Sequence, residues 1–393
     1  MERYVIKNQK KLRCGVTTGS CAAAAAEAAA AQFLLGVKKS IVSLKTPKGI
    51  TIDIPVYESV DIDEEGVTYM VVKDSGDDPD VTDGTGIYVT VNELDKDRCV
   101  DKCFRDTEHT NLYLDGGIGV GRVTKEGLEQ GIGYAAINTV PRKMIFESVG
   151  NICELAEHFP ELMITVSIPD GVELAKKTFN PRLGIEDGLS VLGTSGILEP
   201  MSEKAIVDTI ETEIRQRYNQ GKRKLLVTPG NYGRSYASEY LGIDIDEGVK
   251  CSNYIGETLD LAVAYGFKDM LLVGNIGKLV KLAAGIMNTH SRVADGRMEI
   301  LAVHTVLCGG TGDMAARIMQ CINTEEVLGL LDEWQLMNKV IGSICEYINA
   351  HVKRRTGDSM TCGVMLFSEK YGYLGCTEAC RDVLDIFGIK QEV

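Results

Sequence analysis

The chain has 393 residues, and its 42 Lys and Arg against 56 Asp and Glu give a formal charge of −14. A chain this acidic is a poor general binder of nucleic acid or of anionic membrane surfaces, because both need clustered Lys and Arg. With 44% hydrophobic and 25% charged residues it is composed to fold, not to stay disordered.

At about 150 residues per domain, the length suggests two or three domains. Twelve cysteines in 393 residues are too sparse for a secreted disulfide scaffold, and no C-x-x-C occurs. They read as reduced, mostly buried thiols. Met1–Lys7 leads into no apolar signal core. The apolar run Cys21–Leu35 is interrupted by Glu27 and Gln32 and is too short to span a bilayer. The expectation is a cytoplasmic protein that uses neither nucleic acid nor membrane; a homo-oligomer is left open.

In chain order, an alanine-rich helix is predicted from about Ser20 to Leu35, with Gly36 as its C-cap. Strands follow at Ile41–Thr46, Ile50–Val60, Val67–Lys73, Ile87–Leu94 and Asn111–Asp115, separated by turn chemistry. Pro141–His158 reads as a helix with proline in its first turn, Leu162–Ile168 as a buried strand, and Met201–Asn219 as a helix. Leu225–Val227 and Met270–Val273 are short apolar strands, each running through a glycine loop into a helix. That alternation means βαβ units and a parallel sheet. The tail from Thr311 is mostly helical, with a late strand at Val364–Phe367.

The fold class is therefore α/β: a mixed α+β domain over residues 1–145 and a Rossmann-like α/β domain with a mainly parallel sheet over 146–310. A mostly helical extension over 311–393 packs on the second domain.

Four segments are candidates for chemistry. Thr17, Thr18, Ser20 and Cys21 lie between glycines and an alanine helix, where helix-start N–H groups and hydroxyls make an anion cradle. An ordinary N-cap needs one hydroxyl, not three. Asp115–Gly121 is rich in glycine, but the sequence after it is weakly helical, so a glycine-rich β-turn is the better reading than a dinucleotide loop. Gly230, Asn231, Tyr232 and Gly233, and Gly274, Asn275, Gly277 and Lys278, lie beyond the carboxyl ends of strands, where open parallel sheets bind ligands. Neither has Walker A spacing. Lys278 and Lys281 with Thr289, His290, Arg292, Asp295 and Arg297 form the densest basic and polar cluster in an acidic chain, which suggests an anionic ligand.

The acidic loop Asp74–Gly84 fails the calcium-loop test. Counted from Asp78, Asp83 stands where glycine is required and Val89 where glutamate is. No zinc or serine-hydrolase motif occurs, so no protein-bound metal is expected.

Long blocks in a fixed order then carry a resemblance. They are LRCGVTTGSCAAAAAEAA (Leu12–Ala29), VKDSGDDPDVTDG (Val72–Gly84), GGIGVGRVTKEGL (Gly116–Leu128) and AINTVPRKMI (Ala136–Ile145). Thr178–Ala205, PGNYG (Pro229–Gly233) and GNIGKLVKLAAGIMNTHSRVADGRME (Gly274–Glu299) continue the series. The chain resembles the cobalt-precorrin-5B (C1)-methyltransferase family of anaerobic cobalamin biosynthesis. The resemblance implies two α/β domains and transfer of a methyl group from S-adenosylmethionine to ring carbon C1 of a cobalt corrinoid, giving cobalt-precorrin-6A. It also implies that the cobalt arrives with the substrate. Where the family pattern has histidine in G-H-I-G-K, this chain has Asn275.

A macrocycle with acetate and propionate arms calls for several anion sites. Thr17, Thr18, Ser20, Cys21, Lys281, Thr289, Arg292 and Arg297 are the candidates for it. The two later glycine loops, with Lys278, are the candidates for the methyl donor. His290 and Asp295 are the candidate bases. A small-molecule phosphotransferase and a non-catalytic tetrapyrrole-binding protein are the alternatives.

Overall fold

The computed structural model describes residues 3–7, 9–59, 66–95, 100–181, 183–242 and 248–389. The chain divides into two compact units, Met1–Glu203 and Lys204–Val393.

The first unit is built on a six-stranded mixed sheet. Its strands are β1 (Tyr57–Ser59), β2 (Val67–Val72), β3 (Gly86–Glu93), β4 (Phe104–Arg105), β5 (Leu112–Gly116) and β6 (Leu162–Ser167), in spatial order β1-β2-β3-β6-β5-β4. Only β5 and β6 run parallel. Parallel neighbours need a crossover, and helix α2 (Thr139–Ala156) supplies it.

Helix α1 (Thr18–Leu35) packs against α2, β2 and β3. Alanine favours the helix, and a helix apolar on every face must be buried. Cys21 to Ala31 are fully shielded except Glu27. The C-cap is Gly36, at φ 68°, as expected.

The boundary expected at 145 therefore shifts to 203/204. The change in pattern at Pro141 marks the βαβ crossover inside the first unit, and β6 sits in the middle of that unit's sheet.

The second unit holds a five-stranded sheet of β7 (Lys224–Thr228), β8 (Val249–Lys250), β9 (Asp269–Asn275), β10 (Thr361–Ser368) and β11 (Gly372–Cys376), ordered β8-β7-β9-β10-β11. The first four are parallel and β11 is antiparallel. Alternate residues point to opposite faces. Leu225, Val227, Met270, Leu272, Val364 and Leu366 join one core, while Leu226, Leu271, Val273, Met365 and Phe367 join the other. Both faces are covered by helices, which is why these strands read as continuous apolar runs. Strand β10 belongs to this sheet, so residues 311–393 complete the domain instead of extending it.

The glycine-rich turn after β5 is packed, not open. A Cβ at Gly119 would collide with the Ile168 carbonyl oxygen. Arg122 closes the turn with two bonds to Asp115, at 2.6 and 3.0 Å, and one to the Gly116 carbonyl. The acidic loop is also internally spent. Lys73, 2% exposed, donates to Ser75 Oγ at 2.7 Å and Asp80 Oδ2 at 2.8 Å.

Candidate functional site

In a sheet ordered 2-1-3-4-5, ligands bind where the winding reverses, beyond the carboxyl ends of the first and third strands. Here those strands are β7 and β9. The chain leaves β7 for β8 on one side, then crosses to β9 on the other. The two glycine loops emerge at this point.

They also touch. A Cβ at Gly274 would lie 3.1 Å from Pro229 Cδ and 2.9 Å from Leu279 Cδ1. Gly233, at the start of helix α3 (Asn231–Leu241), abuts β9: a Cβ there would be 2.7 Å from the Val273 carbonyl oxygen. Gly230 is different. Its backbone is extended, and a Cβ would meet nothing within 4 Å. The side chains of Asn231 and Tyr232 lie outside the described residues.

Asn275 caps the turn Ile276–Leu279, accepting a bond from Gly277 N–H at 2.7 Å. A side-chain oxygen suits that task. Gly277 is close-packed beside it, with Asn275 Oδ1 3.1 Å from a would-be Cβ.

Lys278 is half-buried next to the end of β8. Burial pushes its ammonium below the usual lysine range, and the charge of Lys250 adds to this. Cys251 is fully buried, which lifts its own pKa to about 12 and leaves it neutral. Its N–H donates to Thr228 O at 3.0 Å, tying it to β7. Among the described residues no carboxylate is paired with Lys278. A desolvated cation without a counter-charge is unfavourable, and an incoming anion removes that penalty. Nothing in the sequence around Lys250 and Cys251 signalled that they would stand beside Lys278. Only the sheet order brings them there.

The basic cluster is rearranged. Lys281, 2% exposed, donates to the carbonyls of Thr289 at 3.0 Å and Ala294 at 2.9 Å. It pins the loop 289–295, and Asp295 stands 3.9 Å from the same ammonium, so a ligand carboxylate would meet a cation that already has partners. Thr289 is buried, and its N–H bonds to Asn253 O at 3.0 Å. Arg297 holds Asp295 with two bonds, at 2.5 and 2.9 Å. That guanidinium keeps Asp295 below the usual carboxylate range despite its partial burial. Asp295 is thus a poor proton acceptor.

His290 is exposed, and its Nδ1 accepts the Arg292 N–H at 3.1 Å. An accepting Nδ1 leaves the ring proton on Nε2. Arg292 is exposed, and among the described residues its guanidinium has no hydrogen-bond partner.

The expected cradle at the start of α1 is plugged by its own unit. Gly19 N–H donates to Leu192 O at 2.9 Å, Ser20 N–H to Thr17 Oγ1 at 3.3 Å, and Cys21 N–H to Thr17 O at 3.0 Å. Ser20 Oγ donates to Gly196 O at 2.7 Å. Thr17, Thr18, Ser20 and Cys21 are all buried. These residues seat the loop 192–196 on the helix. They are a cap, because the donors a ligand would need are already used.

The family model described as CbiD matches residues 5–200, ending close to the boundary between the units, and that described as CbiD, C-terminal domain matches 288–378. The chain is 47% identical to the cobalt-precorrin-5B C(1)-methyltransferase of Ruminiclostridium cellulolyticum, over 94% of this chain and 92% of that protein. It is 39% identical to the protein of the same name from Alkaliphilus metalliredigens, over 100% of both. Among solved structures, the cobalamin biosynthesis protein (cbiD) of Archaeoglobus fulgidus matches 75% of this chain and 87% of its own, with 25% identity and a TM-score of 0.40. Among the described residues no helix is long and apolar enough to cross a membrane.

Proposed function

The chain belongs to the CbiD family, and from that premise we infer that it transfers a methyl group to carbon C1 of cobalt-precorrin-5B, the reaction for which its curated relatives are named. Such an enzyme needs a methyl donor. The donor proposed is S-adenosylmethionine, held in the second unit by the loops Gly230–Gly233 and Gly274–Lys278.

The observation that carries this assignment is the half-buried, unpaired Lys278 beside two touching glycine loops at the switch point of the sheet. The residues fit the donor. Its carboxylate would neutralise Lys278, and the open space at Gly230 allows close approach to backbone. When bound, the donor supplies an electrophilic sulfonium methyl. Asn275 fixes the turn that presents Lys278, and Gly274 and Gly233 keep the loops tight against β9. The protein's main contribution is positioning. The cobalt is proposed to enter with the substrate.

Two measurements test the reading. Calorimetric titration should show binding of S-adenosylhomocysteine and none of ATP with magnesium; the reverse would favour a phosphotransferase. The Lys278→Met variant should bind S-adenosylhomocysteine about tenfold more weakly or worse, as for a lost charge-assisted bond. In the wild-type protein, affinity should fall as pH rises through the lowered pKa of Lys278, because only the ammonium form pairs with a carboxylate. Unchanged affinity in the variant would remove Lys278 from the donor site.

Asp295 is held by Arg297, and His290 is exposed with its Nδ1 committed to the Arg292 N–H. His290→Ala is therefore expected to keep methyl transfer within about threefold of wild type, whereas loss of a general base costs about 10²- to 10⁴-fold. A hundredfold drop in kcat would restore His290 as the base.

A further inference from the structure

A second group of cationic residues lies within the first unit, and none of the candidate site residues belongs to it. A cleft of about 510 Å³ is lined by residues that include Phe104, Arg105, Glu129, Gln130, Tyr134 and Arg142. That volume is in the range of small-molecule sites. Two arginines on one cleft stand out in a chain of net charge −14.

Arg142 is anchored but underused. Its guanidinium stacks on the Phe104 ring, 4.2 Å from the centroid. Nη2 donates to Thr139 Oγ1 at 2.7 Å, while Nε is shielded from water and has no acceptor. Among the described residues, its five N–H donors thus make one hydrogen bond. Burial disfavours its charged form, and Glu129 offsets this only in part.

Glu129 does not pair with Arg142. Its Oε2 accepts the Thr139 N–H at 3.1 Å and the Thr139 hydroxyl at 3.0 Å, at the start of α2. Arg105 spends Nε on Thr110 O and lies over Tyr113, without a carboxylate partner among the described residues. Gln130 is tied to Asn138. Phe104 and Tyr134, with ring centroids 5.1 Å apart, form an apolar wall. The arrangement is a desolvated cation beside aromatic faces, which suits a carboxylate carried on a large apolar frame.

We propose that this cleft binds a carboxylate arm of the macrocyclic substrate, with Arg142 as the ion-pairing residue and Phe104 and Tyr134 as the wall along the macrocycle's rim. The proposal rests on the methyl-transfer reading, which supplies the polycarboxylate corrinoid. Arg142 falls in AINTVPRKMI, one of the blocks behind the family resemblance, yet the sequence alone gives it no role.

The test uses the full chain and two stable probes, cobyrinic acid and its heptamethyl ester, titrated by calorimetry. The acid should bind the wild-type protein, and the ester about tenfold more weakly or worse, since esters cannot form the ion pair. Arg142→Met keeps the stack on Phe104 and should weaken acid binding by a similar factor. Arg142→Lys should recover part of it. S-adenosylhomocysteine affinity should be unchanged in both variants, and an unchanged thermal midpoint of the first unit shows that the substituted unit folds.

Equal affinity of Arg142→Met and wild type for the acid would overturn the site. So would equal affinity of wild type for acid and ester. If the wild-type protein binds S-adenosylhomocysteine but not cobyrinic acid, the cleft assignment falls and the methyl-donor site stands. If it binds neither, both fall.

Discussion

Asp80→Ala is expected to destabilise the first unit by about 3 kcal/mol in urea denaturation, because it strands a buried cation. Lys73 is 2% exposed, and its ammonium reaches only Ser75 Oγ and Asp80 Oδ2. Removing the carboxylate leaves the charge with one neutral partner and little water. Removing both charges should do less harm than removing one. The Lys73→Met, Asp80→Ala double variant is therefore expected to regain at least half the loss. A double variant no more stable than the single one would show that the charge pair is not the cause.

The pH dependence follows from the same pair. Burial alone would raise the Asp80 carboxyl, but Lys73 and the bonds from Thr82 bring it below the usual carboxylate range. A carboxyl depressed in the folded state contributes stability above its unfolded pKa and loses it as pH falls through the folded one. Wild type and Asp80→Ala should therefore differ most at neutral pH and converge in acid.

The second large effect separates two glycines of one loop. Gly233→Val would drive a side chain into the Val273 carbonyl, 2.7 Å from the first added atom. Overpacking of this kind costs about 1–3 kcal/mol, which as lost donor affinity is between about fivefold and a hundredfold. The thermal midpoint should drop as well. Gly230→Ala should leave the thermal midpoint unchanged, because the extended backbone accepts any residue and the space is open. Its S-adenosylhomocysteine affinity should still fall if the donor comes close there. Wild-type affinity in Gly230→Ala would move the donor away from this loop.

Local features were legible in the sequence. The alanine helix, its glycine cap and the apolar strands of the second sheet depend on neighbours along the chain, and they stand where expected. The strand–loop–helix pattern also located the glycine loops at carboxyl ends. What could not be read depends on partners far off. Ser20 finds its acceptor in Gly196, 176 residues away, so its cap looked like a cradle. Lys281 looked like a cation for a substrate carboxylate, but its acceptors are two backbone carbonyls, which composition does not reveal. The unit boundary was misplaced because a crossover helix and a domain start share one signature, and only the parallel pairing of β5 with β6 tells them apart.

The plug on α1 has a consequence for synthesis on the ribosome. The helix is translated early, but the carbonyls of Leu192 and Gly196 that complete its first turn come much later. At roughly 5–20 residues per second, the nascent chain carries an unfinished helix end for about 10 to 35 s. Strand β6, which belongs between β3 and β5, is also missing for most of that time. The first unit therefore cannot fold as it emerges. It waits as one long segment until nearly half the protein has been made.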